Sequence, residues 1–192
     1  MATGVYTRIT NGGEVFNGRK VLPLTIRGIV EPDGTEQVFN GTIQEIEAQI
    51  HSINPSFSWL DFRPSIRTFS KSPRKRSLVK VLCHVQNLPS ASREAVEEIQ
   101  NWLNDPSIAV EVQVSAQSCN KFSCKKNAAV WFCNDNLEAI QEVTLTLGAG
   151  VGQILDDKEC QDPGNSNLIQ GQAFDSNDYD FNIIVNGDEC PE

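Results

Sequence analysis

Six cysteines, Cys83, Cys119, Cys124, Cys133, Cys160 and Cys190, all lie beyond residue 82, and the chain before them has none. Thiols at that density beside a single methionine suit an oxidising compartment, where they close into disulfides. The competing chemistry, a zinc site, needs two close pairs of ligands. Cys119 and Cys124 have a four-residue spacer, no second close pair or His-x3-5-His follows, and His84 is the only histidine in this half, so no metal is expected. Cys83 beside His84 has the residue types of a nucleophile and its base. A disulfide would consume that thiol, however, and adjacent strand residues point to opposite faces. No catalytic residue is assigned, and no cofactor is expected.

A basic run precedes the cysteines, Lys71-Ser72-Pro73-Arg74-Lys75-Arg76. Furin-like or kexin-like serine proteases hold paired basic side chains in acidic subsites, which makes Lys75 and Arg76 candidate processing residues. The run's place at a boundary of composition and charge favours cleavage over a solvated linker or a nuclear localisation tract. Asn40-Gly41-Thr42 is an N-glycosylation sequon with Asn40 as the candidate acceptor, and the same residues also suit a turn and a helix cap. Carboxylates are dense toward the C-terminus: Asp156, Asp157, Glu159, Asp162, Asp175, Asp178, Asp180, Asp188 and Glu189. A glycosidase would need two of them about 5 to 9 Å apart across a cleft. Most fall in turns or at a helix end, so a solvated acidic rim is expected, and no EF-hand spacing is present for calcium. Gly148, Gly150 and Gly152 lie inside an apolar helical period, where they suit close packing of a helix on a sheet better than a phosphate loop.

The two halves carry opposite charge. Ten basic against seven acidic residues give +3 for 1–76, and six against eighteen give −12 for 77–192. An acidic, cysteine-rich half repels nucleic acid and anionic membrane, so neutral or basic partners are expected. The hydrophobic fraction of 39% with three tryptophans is enough for a folded core. No run of about 18 apolar residues exists to span a membrane. Met1-Ala2-Thr3-Gly4 leads straight into polar sequence, so secretion requires a leader outside this sequence. The expected organisation is a propeptide-like front segment over 1–70, a processing linker over 71–76 and a disulfide-stapled mature domain over 77–192.

These residues need elements to hold them. The alternating stretch 20–30 reads as a strand, Pro32-Asp33-Gly34 as a turn, and 35–39 as a returning strand. Thr42-Ile43-Gln44-Glu45 is a capping box, after which Ile43, Ile46, Ile50 and Ile53 form an apolar helical stripe that stops before Pro55. The segment 56–69, with Phe57, Trp59 and Phe62, is an extended arm able to pack on the mature domain. In the rear half, 78–85 is a strand, and Ser90 or Ser92 caps a helix with Ala95, Val96, Ile99, Trp102 and Leu103 on its inner side. A strand is expected over 108–114, a hairpin from 119–124 and 129–133, a helix over 143–157, and final strands over 168–174 and 179–185. The order implies an α+β fold, an antiparallel sheet with two helices on one face, preceded by a small β-β-α front segment.

The hairpin places Cys119 opposite Cys133, the first expected bridge. Six cysteines allow 15 connectivities. Cys83 with Cys190, as neighbouring strands, and Cys124 with Cys160, by remainder, complete the expected set.

The strings Cys119-Asn120-Lys121-Phe122-Ser123-Cys124, Ala128-Ala129-Val130-Trp131-Phe132-Cys133-Asn134-Asp135-Asn136 and Ile169-Gln170-Gly171-Gln172-Ala173-Phe174, with Phe181-Asn182-Ile183-Ile184-Val185, resemble small secreted cysteine-rich proteins of filamentous fungi. Phe39-Asn40-Gly41-Thr42-Ile43-Gln44-Glu45 and Ile53-Asn54-Pro55 resemble the pro-regions of the same proteins, which commonly end at a kexin-type site. The order of elements is more distantly similar to the α/β sandwiches of fungal killer toxins and necrosis-inducing effectors. The resemblance implies a secreted, extracellular effector or toxin-like protein made as a precursor, with a processing protease and a host or competitor cell-surface protein or glycan as partners. A carbohydrate-active enzyme using an acidic pair, or a secreted inhibitor or binding module, is the alternative.

Overall fold

Pro23, which has no amide hydrogen to give to a ladder, splits the alternating stretch near the N-terminus into two strands that join different sheets. The computed structural model describes residues 8–10, 13–31, 33–64, 78–106, 110–175 and 181–190. The front half contributes β1 (Arg8–Thr10), β2 (Gly13–Phe16), β3 (Arg19–Leu22), β4 (Leu24–Ile29), β5 (Gln37–Gly41), α1 (Ile43–Ile53) and β6 (Arg63–Pro64). The rear half contributes β7 (Leu78–Cys83), β8 (Ala91–Ser92), α2 (Arg93–Leu103), β9 (Glu111–Val114), β10 (Ser118–Lys125), β11 (Ala128–Asn134), β12 (Ile140–Val143) and α3 (Thr144–Asp156). It ends with β13 (Gln161–Asp162), β14 (Asn165–Ile169), β15 (Gly171–Asp175) and β16 (Phe181–Gly187). The fold is α+β, with a mixed main sheet and three α-helices among the described residues.

The main sheet has eight strands in the order β1-β2-β3-β10-β11-β16-β15-β7. It is not purely antiparallel as expected, because β3 runs parallel to β10, pairing Val21 with Cys119 and Leu22 with Asn120. The edge of β10 away from β11 is taken by a strand of the front half, a long-range pairing that local alternation does not encode. The remaining strands form β5-β4-β6, β12-β9 and β13-β14-β8.

Local signals explain the helix and turn boundaries. Thr42 Oγ1 accepts from the Glu45 amide at 3.3 Å while Glu45 Oε2 accepts from the Thr42 amide at 2.7 Å, the reciprocal capping box that starts α1. Ile43, Ile46 and Ile50 are buried, but Ile53, in the last turn, is 38% exposed and leaves the expected stripe. Ser92, not Ser90, caps α2 by accepting from the Ala95 amide. Lys126 and Asn127, with φ of +48° and +61°, make the two-residue turn between β10 and β11 whose twist matches the strands.

The sheet buries apolar residues on both faces. One side carries the large core, in which Phe122, Val130, Phe132, Ile183 and Val185 meet α2 and α3 residues such as Val96, Ile99, Leu147 and Val151. The other side holds a smaller cluster around Trp131, on which Phe16 of β2 stacks at 3.8 Å between ring centres. Gly148 and Gly152 serve helix packing against α2 instead of the sheet. A Cβ on Gly148 would fall on the Asn104 side chain and 3.0 Å from Leu103 Cβ, and one on Gly152 would lie 2.5 Å from Gln100 Nε2.

The disulfides are Cys119–Cys133, Cys83–Cys160 and Cys124–Cys190. The hairpin bridge agrees with the register, in which Cys119 faces Cys133. Cys83–Cys190 and Cys124–Cys160 are overturned: β7 and β16 are not neighbours, because β15 lies between them. Cys83 at the end of β7 instead meets the turn after α3 that holds Cys160. Cys190 follows β16, whose Gly187 pairs with Ala128 beside the end of β10 and Cys124.

Candidate functional site

The front helix α1 and the rear helix α2 approach the β10–β11 hairpin from two sides and leave a groove of about 790 Å³ between them. Gln44, on the first turn of α1, clamps the floor: its Nε2 donates to Ser123 Oγ at 2.7 Å, and its Oε1 accepts from the Cys124 amide at 3.2 Å. One turn further on, Glu47 Oε1 accepts from Trp59 Nε1 at 3.2 Å, which ties the aromatic arm to the helix. Trp59 in turn meets Trp102 of α2 edge-on at 5.6 Å, and Trp102 meets Phe122 of β10 at 5.9 Å. The described part of the arm, 56–64, therefore packs on the rear half, with Trp59–Asp61 in a 3-10 turn instead of extended chain, and 65–69 lie outside the described residues.

The rim opposite α1 is a charge clamp. Lys125 Nζ and Lys126 Nζ each lie 2.7 Å from a different oxygen of Glu98, and these contacts tie α2 to the hairpin turn. The Lys125 ammonium, joined by that of Lys126, holds the Glu98 carboxyl down at about 2 from an ordinary 4.5. Glu98 in turn pushes the Lys126 ammonium upward from 10.5. A carboxyl so placed stays ionised at every ordinary pH and has no proton to give as a general acid. Ser123, the groove's one hydroxyl side chain, is buried, and its Oγ accepts from Gln44 Nε2. The lining thus combines a half-buried indole, a buried hydroxyl and an ion-paired rim.

No family model, curated protein or solved structure matches this chain.

The residues singled out in the sequence lie elsewhere. Asp157 caps the turn after α3 by accepting from the Glu159 amide, Asp162 accepts from Ser90 and Gly164, and Asp188 pairs with Lys121 at 2.8 Å. None of these lines the groove. Asp178, Asp180, Lys75 and Arg76 lie outside the described residues. Cys83, Asp157 and Cys160 bring ligand-type atoms together, but the two sulfurs are bonded to each other and so are not thiolate ligands. The same bond removes the nucleophile beside His84. Asn40 is exposed on β5, its Oδ1 accepting from Thr25 Oγ1 at 2.7 Å, while Thr42 of the sequon is nearly buried in its cap.

Of the residues that line the groove, the sequence marks Gln44 only as part of a capping box and Trp102 only as core, and it assigns no function to Glu47, Glu98, Lys125 or Lys126. One signal was available. Lys125-Lys126 is the only adjacent basic pair in the acidic rear half, and such a pair beside a predicted turn asks for a carboxylate partner.

Proposed function

We propose that the protein is a secreted, killer-toxin-like effector, made as a precursor and acting outside the producing cell by binding a surface component of a host or competitor cell. The α1–α2 groove is the observation that carries this reading: a half-buried indole lines it among polar groups already fixed by mutual contacts, and the Glu98 carboxyl on its rim is held ionised by two lysines. The pairing of all six cysteines supports an oxidising destination. The resemblance to fungal secreted cysteine-rich proteins rests on the quoted strings, and processing at Lys75-Arg76 is part of the same proposal. A carbohydrate-active enzyme is the weaker reading, since a glycosidase needs one protonated and one ionised carboxyl, and Glu98 cannot be the former.

The test is to express the chain in a secreting fungal host, sequence the N-terminus of the product, and apply it to plant and yeast cells. The expected result is a product beginning at Ser77, together with saturable cell binding or killing that falls when Trp102 is replaced by leucine. A single secreted chain that starts at Thr3 or Gly4 and keeps Lys75-Arg76 uncut, with no chain beginning at Ser77, would sink the precursor reading. Undiminished cell binding by the leucine variant would remove the groove from the proposal.

A further inference from the structure

We infer that the α1–α2 groove is a binding site for a neutral oligosaccharide, an inference that rests on the extracellular binding role proposed above and specifies its ligand. The aliphatic and phenyl parts of the lining are sealed: Ile43 is 5% exposed, Ile99 4% and Phe122 1%. An apolar peptide side chain entering the groove would gain little from these three residues, which are already covered. What a ligand meets is the half-buried ring of Trp102 and a polar rim.

The ring is held by a T-shaped contact with Trp59 and a tilted one with Phe122, and its uncovered part lines the groove. An indole face of this kind stacks on the C–H face of a pyranose, where it covers apolar area without demanding charge. Around it, Glu47 and Glu98 oppose Lys125 and Lys126, two negative and two positive groups, so the lining carries no net charge. An anionic polymer would meet no excess of cations here and would be repelled by the −12 of the rear half, and a cationic ligand would have to displace two lysines from Glu98. Hydroxyl groups suffer neither penalty.

The polar groups also retain capacity. Each ammonium has three donors, of which its bond to Glu98 uses one, and Asn127 at the turn adds an exposed amide. Because the ion pairs already hold these groups in place, hydrogen bonds to a sugar form with little further ordering. The volume falls inside the range of ordinary small-ligand sites. Gln44 and Glu47 come from the front half, so the site is complete only while that half stays in place.

The test is calorimetric titration of the full chain with cellohexaose, laminarihexaose, mannohexaose and chitin hexamer, with hexagalacturonate and the deacetylated chitosan hexamer as charged controls. At least one neutral hexamer is expected to bind, at least tenfold more tightly than either control, with affinity that changes little between 50 and 300 mM salt. Trp102→Leu is expected to weaken binding tenfold or more. Asn127→Gly, which keeps the positive φ of the turn while removing the side-chain amide, should weaken it severalfold. Binding that neither substitution reduces, or preference for a charged hexamer, overturns the inference. If none of the neutral sugars binds while the chain still binds cells, the ligand class is wrong and the effector reading stands. Neutral sugars bound without any cell binding would leave the site correct and remove the effector role.

Discussion

Glu98 is the residue on which the groove's rim turns, and its ionisation makes a pH prediction with a definite sign. Its carboxyl is held at about 2 in the folded protein against 4.5 when free, so the unfolded chain takes up the proton first. The stability this contributes is fully present above about pH 4.5 and is lost as pH falls toward 2. Glu98→Gln should therefore flatten the acid limb of a urea-midpoint profile between those values, and an unchanged acid limb would show that the clamp adds nothing. Trp59 offers a contrast in kind. It is 8% exposed and packs against Trp102, so Trp59→Ala should cost roughly 3 to 5 kcal/mol of stability. Arg19 joins the halves through a half-exposed ion pair with Asp135 at 2.7 Å, and Arg19→Ala should cost no more than about 1 kcal/mol. Urea denaturation of the two variants compares burial with surface charge directly.

At the scale of elements, β3 is the strand that makes the front half part of the main sheet. Its parallel ladder with β10 is reinforced by Asn120 Nδ2 donating to the Leu22 carbonyl at 2.9 Å. A polar chain then runs from Arg19 through Asp135 and Asn182 to Gln172, across four more strands' width of sheet side chains. All three disulfides lie within the rear half, so none of them links the two halves covalently. Cleavage after Arg76 should accordingly give two pieces that stay together, held by the β3–β10 ladder, the Phe16–Trp131 stack and the buried arm. The pieces should co-elute on size exclusion at both 50 mM and 1 M salt, since burial rather than attraction between +3 and −12 dominates. Separation on cutting at low salt would disprove this. The front half then acts as part of the working molecule, because α1 forms one wall of the groove.

For the molecule as a whole, the bridges set how the fold fails. Cys119 and Cys133 are 14 residues apart, while Cys83–Cys160 and Cys124–Cys190 close loops of 77 and 66. Loop-closure entropy then assigns about 3 kcal/mol to the hairpin bridge and about 4.5 kcal/mol to each long one. Replacing Cys83 and Cys160 together by alanine should lower the melting temperature more than replacing Cys119 and Cys133 together, as scanning calorimetry would show. The reverse order would mean that the hairpin bridge supports more of the sheet than its loop length implies.

The amino-acid sequence by itself determined whatever short range decides. The Thr42 capping box and the stop before Pro55 depend on groups within a few residues, as do the start of α2 at one of two serines, Ser90 or Ser92, and a hairpin turn within 125–127. The Cys119–Cys133 bridge was legible for the same reason, because one hairpin register places the two opposite each other. Tertiary structure alone decided the rest. Which strand lies beside β7, which edge β3 takes and which cysteines meet depend on strand order, and no short window of alternating residues carries that order. The groove is of the same kind: Gln44 lies 79 residues from Ser123, and Lys126 lies 28 from Glu98. Their types were visible throughout, but only packing two helices from opposite halves onto one hairpin turns a cap residue, a helix-face carboxylate and a turn lysine into a site.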